Sequence, residues 1–158
     1  MILGLVLVVY ASAIVGANLL VAVFGPVITP LNAFVLIGLD LALRDWLHLR
    51  LSPQRMALLI VATGGVSYLL NPTAGVIALA SAVSFMTAAL ADWWVFAKLQ
   101  GSWQRRANLS NVCGAAVDSL LFPTLAFGAL MPEIVLAQFI AKTAGGGLWT
   151  LAFNYARK

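Results

Sequence analysis

Five ionisable residues lie inside long apolar stretches of this chain: Asp40, Arg44, Asp92, Asp118 and Lys142. The chain has 158 residues, of which 63% are hydrophobic and only 9% are charged, and its mean hydropathy is +1.01. This composition is typical of a membrane-integral protein. A charge at the centre of a membrane helix costs roughly 2.5–3.5 kcal/mol, and charges kept there usually line a polar path or a binding site. The residues therefore point to a small transporter or a membrane-bound receptor.

The length allows about six spans of roughly 20 residues joined by short loops. Glycine, proline and asparagine separate six apolar stretches, namely 2–24, 28–47, 55–71, 74–97, 109–130 and 133–154. We expect one all-α integral membrane domain over residues 1–158, with six transmembrane helices.

The charges between these stretches predict the orientation. With six spans, one side of the membrane receives Arg50, Arg55, Lys98, Arg105, Arg106, Arg157 and Lys158. The other side receives Glu133 as its only charge. By the positive-inside rule, both termini are cytoplasmic in a multi-pass protein of the cell inner (plasma) membrane. The basic residues orient the spans, so the net charge of +4 does not indicate nucleic-acid binding.

The two most deeply placed charges are Asp118 and Lys142. Asp118 lies about 14 Å into its stretch at 1.5 Å per residue, near the membrane midplane. Lys142 reaches a similar depth from the opposite side, so the two side chains can meet as a buried pair. Gln138 is one turn from Lys142 on the same helix face. We predict a midplane polar pocket; the alternative is a purely architectural salt bridge.

Three more polar residues are candidates for this pocket. Asn111 shares a helix face with Asp118. Asn18 is a lone amide in the first stretch, although such amides more often bond a neighbouring helix than a ligand. Asp92 is either a hydrated residue among interfacial tryptophans or an inward contact to the substrate or to the Arg44 region.

The second stretch contains two further features. Asp40 and Arg44 are spaced i, i+4 and predict an intrahelical ion pair with a structural or a gating role. We interpret residues 29–32 either as an ordinary loop, which we favour, or as a re-entrant entry to the membrane.

Several chemistries find no support in the residues. One cysteine and one histidine, far apart in the chain, do not form a metal site, and we expect no cofactor. His48 has no second catalytic group beside it, so an enzyme is not expected.

Four segments together resemble one transporter family. Residues 108–127, NLSNVCGAAVDSLLFPTLAF, closely resemble a recurrent pattern of the VUT family of queuosine precursor transporters, also called the YhhQ family. The segment from Asp40 to Arg44 resembles the family's Asp-Leu-x-x-Arg pattern. Residues 84–90, followed by Asp92, resemble its fourth helix, and residues 138–142 resemble its last helix with its lysine.

This resemblance implies uptake of a 7-deazapurine, such as 7-cyano-7-deazaguanine or its aminomethyl relative, for tRNA modification. A guanine-like edge offers adjacent N–H donors, which the Asp118 carboxylate could accept in pairs with Lys142 as its neutralising partner. The amides that could serve carbonyl and ring nitrogen atoms are Asn111, Gln138 and Asn18, and the rings that could stack on a flat heterocycle are Phe85, Phe122 and Trp149.

Other functions stay open from the sequence. The main alternative is a substrate-binding membrane subunit, similar to an S-component, that takes a vitamin or nucleobase and needs a separate energising complex. A purely structural helix-packing protein would tolerate apolar residues in place of the midplane polar ones. A homodimer is a further expectation, because six short helices enclose little volume.

Overall fold

The computed structural model describes residues 2–48, 50–101 and 103–156, and some side chains within these ranges, including that of Arg44, lie outside the described part. The α-helices are α1 (Ile2–Phe24), α2 (Thr29–Asn32), α3 (Gly38–His48), α4 (Pro53–Leu70), α5 (Pro72–Lys98), α6 (Trp103–Phe127) and α7 (Pro132–Ala156). A 3-10 turn, Gly25–Ile28, precedes α2, and a π-helical segment, Ala33–Ile37, joins α2 to α3. The described residues contain no strand, which confirms the all-α prediction for that part of the chain.

Local sequence accounts for the helix boundaries. The Ser52 hydroxyl accepts a hydrogen bond from the backbone N–H of Arg55 at 3.4 Å, which caps α4 ahead of its first-turn proline. The Asn71 side chain likewise accepts from the backbone N–H of Thr73 at 3.0 Å and caps α5. Gly128 follows α6 with φ +70°, a conformation that favours glycine.

The chain reverses direction at Gly25, which has φ +67°. Asn32 donates a hydrogen bond to the carbonyl oxygen of Ala17 at 3.1 Å, although 15 residues separate them. In a continuous α-helix these residues would be about 22 Å apart, so the segment after Gly25 folds back along α1. Residues 2–24 and 29–48 therefore form an antiparallel hairpin.

Three stretches are long and apolar enough to cross a membrane among the described residues: Ile2–Asp40, Pro72–Lys98 and Leu109–Phe127. The first of them contains the hairpin at Gly25. Gln54–Leu70 is a shorter apolar helix. Helices occupy all six stretches identified in the sequence, and α6 begins earlier than expected, at Trp103. That all six cross the bilayer remains a prediction.

The distribution of side chains supports a lipid-facing surface. Large apolar residues point outward, with Leu69 exposed by 82% and Val61 by 70%. Several serine side chains lie inside, because Ser67, Ser84 and Ser119 have no exposed surface. Contiguous apolar surface is rare on soluble monomers, whereas small polar residues between closely packed helices are typical of membrane bundles.

The helices close around a polar interior. Going round the bundle, α1 packs on α4, α4 on α5, α5 on α6 and α6 on α7. Helix α7 packs on α2, the π-helical segment and α3, and these in turn pack on α1. This closure brings Asp118 of α6 and Lys142 of α7 to the inside of the bundle.

Candidate functional site

A salt bridge between α6 and α7 forms the centre of the polar interior. The Lys142 ammonium nitrogen lies 2.8 Å from Oδ2 of Asp118, with side-chain exposures of 3% and 21%. The predicted meeting of these two residues is therefore observed. Because the carboxylate keeps part of its surface open to the adjacent cavities, it retains acceptor capacity that Lys142 does not use.

Gln138 completes this arrangement from the preceding turn of α7. Lys142 donates a hydrogen bond to Oε1 of Gln138 at 3.0 Å. An ammonium group has only donors, so the amide oxygen must face it and the amide nitrogen must point away. Gln138 is 1% exposed, and its Nε2 has no hydrogen-bond partner within the described ranges. A buried amide donor without a hydrogen-bond partner favours a ligand that supplies a hydrogen-bond acceptor.

Two cavities adjoin the salt bridge. The first, which we call the α7 cavity, lies beside Gln138 and Lys142. Its polar lining consists of Asn18, Thr29, Asn32, Ser81, Asp118, Gln138 and Lys142, and Phe122 adds an aromatic ring. The second, which we call the α4 cavity, lies beside Ile60 and Thr63 of α4. Its polar lining consists of Tyr10, Asn18, Asp40, Thr63, Ser81 and Asp118, and Phe85 adds a ring.

Asn18 connects helices and also lines both cavities. Its amide donates a hydrogen bond to the Ser67 hydroxyl at 3.2 Å, and Ser67 donates to the carbonyl oxygen of Thr63 at 2.9 Å. This chain fixes α1 against α4. The expectation that a lone amide bonds a neighbouring helix is confirmed, and its proposed contact with a ligand remains a prediction.

Residues 29–32 are helical, so the favoured reading of this segment as an ordinary loop is wrong. Thr29 and Asn32 are buried at 2% and 5% exposure. Thr29 donates to the carbonyl oxygen of Pro26 at 2.7 Å, and Asn32 donates to that of Ala17. Each polar side chain thus bonds a backbone oxygen, which allows the segment to continue as helix inside an apolar bundle.

The π-helical segment is fixed to α7 at a very close crossing. A Cβ atom on Gly145 would overlap the carbonyl oxygen of Phe34. A Cβ atom on Gly38 would come within 2.8 Å of the Gly145 backbone. Four residues further along α7, the indole N–H of Trp149 donates to the carbonyl oxygen of Val35 at 3.0 Å. The crossing requires glycine and positions the turn of α7 that carries Lys142.

The remaining predicted residues divide between the cavities and other places. Phe122 lines the α7 cavity, where its ring packs edge-to-face on Phe127 with centroids 6.4 Å apart. Phe85 and Asp40 line the α4 cavity, and Asp40 is 3% exposed. The predicted partner of Asp40, the Arg44 side chain, lies outside the described residues, so that pair remains a prediction.

Three predicted residues lie away from both cavities. Asn111 is exposed on α6. Asp92 packs against Gly114, where an added Cβ would lie 3.3 Å from the Asp92 Cβ. Trp149 bonds the π-helical segment through Val35. Their roles in substrate binding remain predictions without support from their positions.

Sequence reasoning missed several hydroxyl groups in the cavities. Ser81 lines both cavities, and Tyr10 and Thr63 line the α4 cavity. Hydroxyl side chains are common in membrane helices, where they bond their own backbone or a neighbouring helix. Their types and spacing therefore gave no signal that these three face a cavity.

The described residues contain no group of three His, Cys, Asp or Glu side chains that could hold a metal ion. The chemistry available in the two cavities is hydrogen bonding through two carboxylates, three amides, one ammonium group and several hydroxyls, together with the rings of Phe85 and Phe122. Such a set can bind a polar molecule through hydrogen bonds.

Comparison with known proteins gives one match. Residues 7–155 match the family described as "Putative vitamin uptake transporter". No significant match was found among curated proteins or among solved structures.

Proposed function

The chain belongs to the "Putative vitamin uptake transporter" family, and from that premise we propose that it imports a 7-deazapurine such as 7-cyano-7-deazaguanine, a precursor of queuosine. In this proposal all six helical segments cross the cell inner membrane, with both termini in the cytoplasm. The basic residues between the spans support this orientation. Membership of a transporter family also agrees with the expectation that the chain is not an enzyme.

The observation that carries the proposal is the pair of unused hydrogen-bonding groups in the α7 cavity. Asp118 offers acceptor lone pairs, and Gln138 offers a buried amide donor that has no partner in the described part of the chain. The edge of a 7-deazaguanine presents a ring N–H and an amino group beside a carbonyl oxygen. Asp118 would accept from the two donors, and Gln138 would donate to the carbonyl oxygen.

The charges in the cavity support an uncharged substrate. Lys142 neutralises Asp118 at 2.8 Å, so the charged residues that line the α7 cavity balance each other and would not select an ion. Phe122 supplies an aromatic face on the wall of the same cavity, and a flat heterocycle gains from stacking on it. A buried polar site of this kind discriminates strongly against analogues that lack a matching donor or acceptor. An apolar pocket discriminates much less against an analogue that lacks one methyl group.

The experiment that tests the proposal is uptake of labelled 7-cyano-7-deazaguanine by the purified protein in liposomes. We expect saturable uptake by the wild type and its loss in Asp118→Asn, which halves the acceptor capacity facing the substrate. Glu133→Gln is the matched control, because Glu133 is an exposed carboxylate in the first turn of α7. Unchanged uptake in Asp118→Asn would contradict the proposed site.

The same experiment distinguishes the alternative function. A substrate-binding subunit that depends on an energising complex would bind the deazapurine but would not accumulate it in liposomes that contain this protein alone. Association into a homodimer is a separate proposal, and the mass of the protein in detergent micelles tests it.

A further inference from the structure

The two cavities share four lining residues, and each of the four comes from a different element. Asn18 comes from α1, Ile37 from the π-helical segment, Ser81 from α5 and Asp118 from α6. We call these four residues the ring. Since every ring residue borders both cavities, the ring lies between them.

The cavities are displaced from each other along the helix axes. On α1, the α4 cavity is lined from Tyr10 to Asn18 and the α7 cavity from Ala17 to Val21. Tyr10 and Val21 are about 17 Å apart along a helix. The antiparallel partner of α1 gives the same order, because Asp40 lines the α4 cavity and Thr29 lines the α7 cavity.

Helix α6 gives this order independently. On α6, which runs antiparallel to α5, the later residue Phe122 lines only the α7 cavity. Helix α5 does not order the two cavities, because both the earlier residue Ala78 and the later residue Phe85 line only the α4 cavity. The hairpin of residues 2–24 and 29–48 and helix α6 thus agree that the α7 cavity lies toward one end of the bundle and the α4 cavity toward the other.

We propose that the two cavities are consecutive stations of one translocation path, and that the ring is the constriction a substrate passes between them. This inference rests on the proposed transport function but not on the identity of the substrate. The Asp118 carboxylate borders both stations, so it can hold the donor edge of a substrate while the rest of the molecule moves from one cavity to the other.

The side chains of the ring fit this role. Ser81 is small, and Asn18 and Asp118 offer polar atoms to a passing heterocycle. Ile37 is the last residue of the π-helical segment. In the same segment, the carbonyl oxygen of Val35 accepts a hydrogen bond from the indole N–H of Trp149. π-helical turns are frequent at functional sites, and here the turn supplies the apolar side of the constriction.

Thiol accessibility tests this path without any substrate. The background is Cys113→Ala, which removes the chain's single cysteine. Single cysteines are placed by Ala33→Cys in the α7 cavity, by Ala82→Cys in the α4 cavity and by Ser81→Cys in the ring. A membrane-impermeant thiol reagent is then applied to one face of oriented membranes at a time.

We expect Ala33→Cys and Ala82→Cys to react from opposite faces, and Ser81→Cys to react from both, because the ring becomes exposed to each side in turn. The control is Leu79→Cys, which is 67% exposed toward lipid and should react from neither face. Reaction of the two cavity cysteines from the same face, or of neither, would overturn the proposal.

A bulky side chain in the ring gives a second, functional test. Ser81→Phe should abolish uptake, and Leu79→Phe, which places the same side chain on the exposed side of α5, should keep it. Normal uptake by Ser81→Phe would overturn the path. If the wild type neither binds nor transports a deazapurine but the thiol pattern holds, the substrate assignment fails and the path stands.

Discussion

Removing the Asp118 carboxylate should destabilise the protein more than removing the Lys142 ammonium, because the two partners are buried to different degrees. Lys142 is 3% exposed and Asp118 is 21% exposed. Asp118→Leu leaves an ammonium group almost fully buried with one neutral acceptor, Oε1 of Gln138. Lys142→Met leaves a carboxylate that still reaches the cavities.

The expected magnitudes follow from these environments. Removing one partner of a buried ion pair leaves the other charge buried and unpaired, which costs about 3–5 kcal/mol. Lys142→Met strands mainly the buried amide oxygen of Gln138, which costs about 1–3 kcal/mol. For a chain of this size each kcal/mol lowers the melting temperature by about 2–4 °C, so Asp118→Leu should lower it by about 6–20 °C.

The assay is thermal unfolding of the detergent-solubilised protein followed by intrinsic tryptophan fluorescence. The double variant Asp118→Leu/Lys142→Met is the decisive comparison, because it removes both charges and leaves none stranded. Its melting temperature should lie above that of Asp118→Leu and close to that of Lys142→Met. A double variant no more stable than Asp118→Leu would refute the reasoning, since the buried ammonium would then not be the cause of the loss.

Two further predictions concern the close contacts that position the site. Gly145→Ala should destabilise the fold by about 1–3 kcal/mol or more, because its Cβ would overlap the Phe34 carbonyl oxygen. Gly147→Ala is the control, because its Cβ would meet nothing within 4 Å. It should be neutral or slightly stabilising in the same unfolding assay. Equal melting temperatures for these two variants would show that the crossing can separate without cost. Asn32→Ala should cost about 1–3 kcal/mol, because it removes the hydrogen bond to Ala17 that closes the hairpin, and an unchanged melting temperature would count against that role.

The meeting of Asp118 and Lys142 was predictable because it depends on simple geometry. The rise per residue places both at a similar depth from opposite ends of neighbouring helices, and a buried charge needs a counter-charge. Their observed separation of 2.8 Å confirms that argument. Most helix boundaries were also predictable, since proline, asparagine and glycine act locally, but the start of α6 at Trp103 was not.

The structure of residues 29–32 could not be predicted in the same way. Pro30 and Asn32 favour a turn by local propensity. The bond from Asn32 to Ala17, which allows helix there, depends on the fold of the hairpin as a whole. The tertiary contact thus outweighs the local preference for a turn, and no residue spacing in the sequence indicates that contact.

The membership of the cavities was only partly predictable. Gln138 and Lys142 share a helix face and both line the α7 cavity. Asn111 also shares a face with Asp118 by helical period but is exposed, whereas the adjacent Ser110 is buried. Periodicity gives the direction of a side chain, whereas the neighbours decide what it meets, and for this reason Ser81 was missed.

The most direct test of the central claim is the equilibrium binding of 7-cyano-7-deazaguanine to the purified protein and to its Asp118→Asn variant. We predict saturable binding to the wild type, competition by deazapurines that keep the amino and carbonyl groups, and loss of binding in Asp118→Asn with the fold intact. Equal affinity in the two proteins would contradict it, because the Asp118 carboxylate would then not read the donor edge of the substrate.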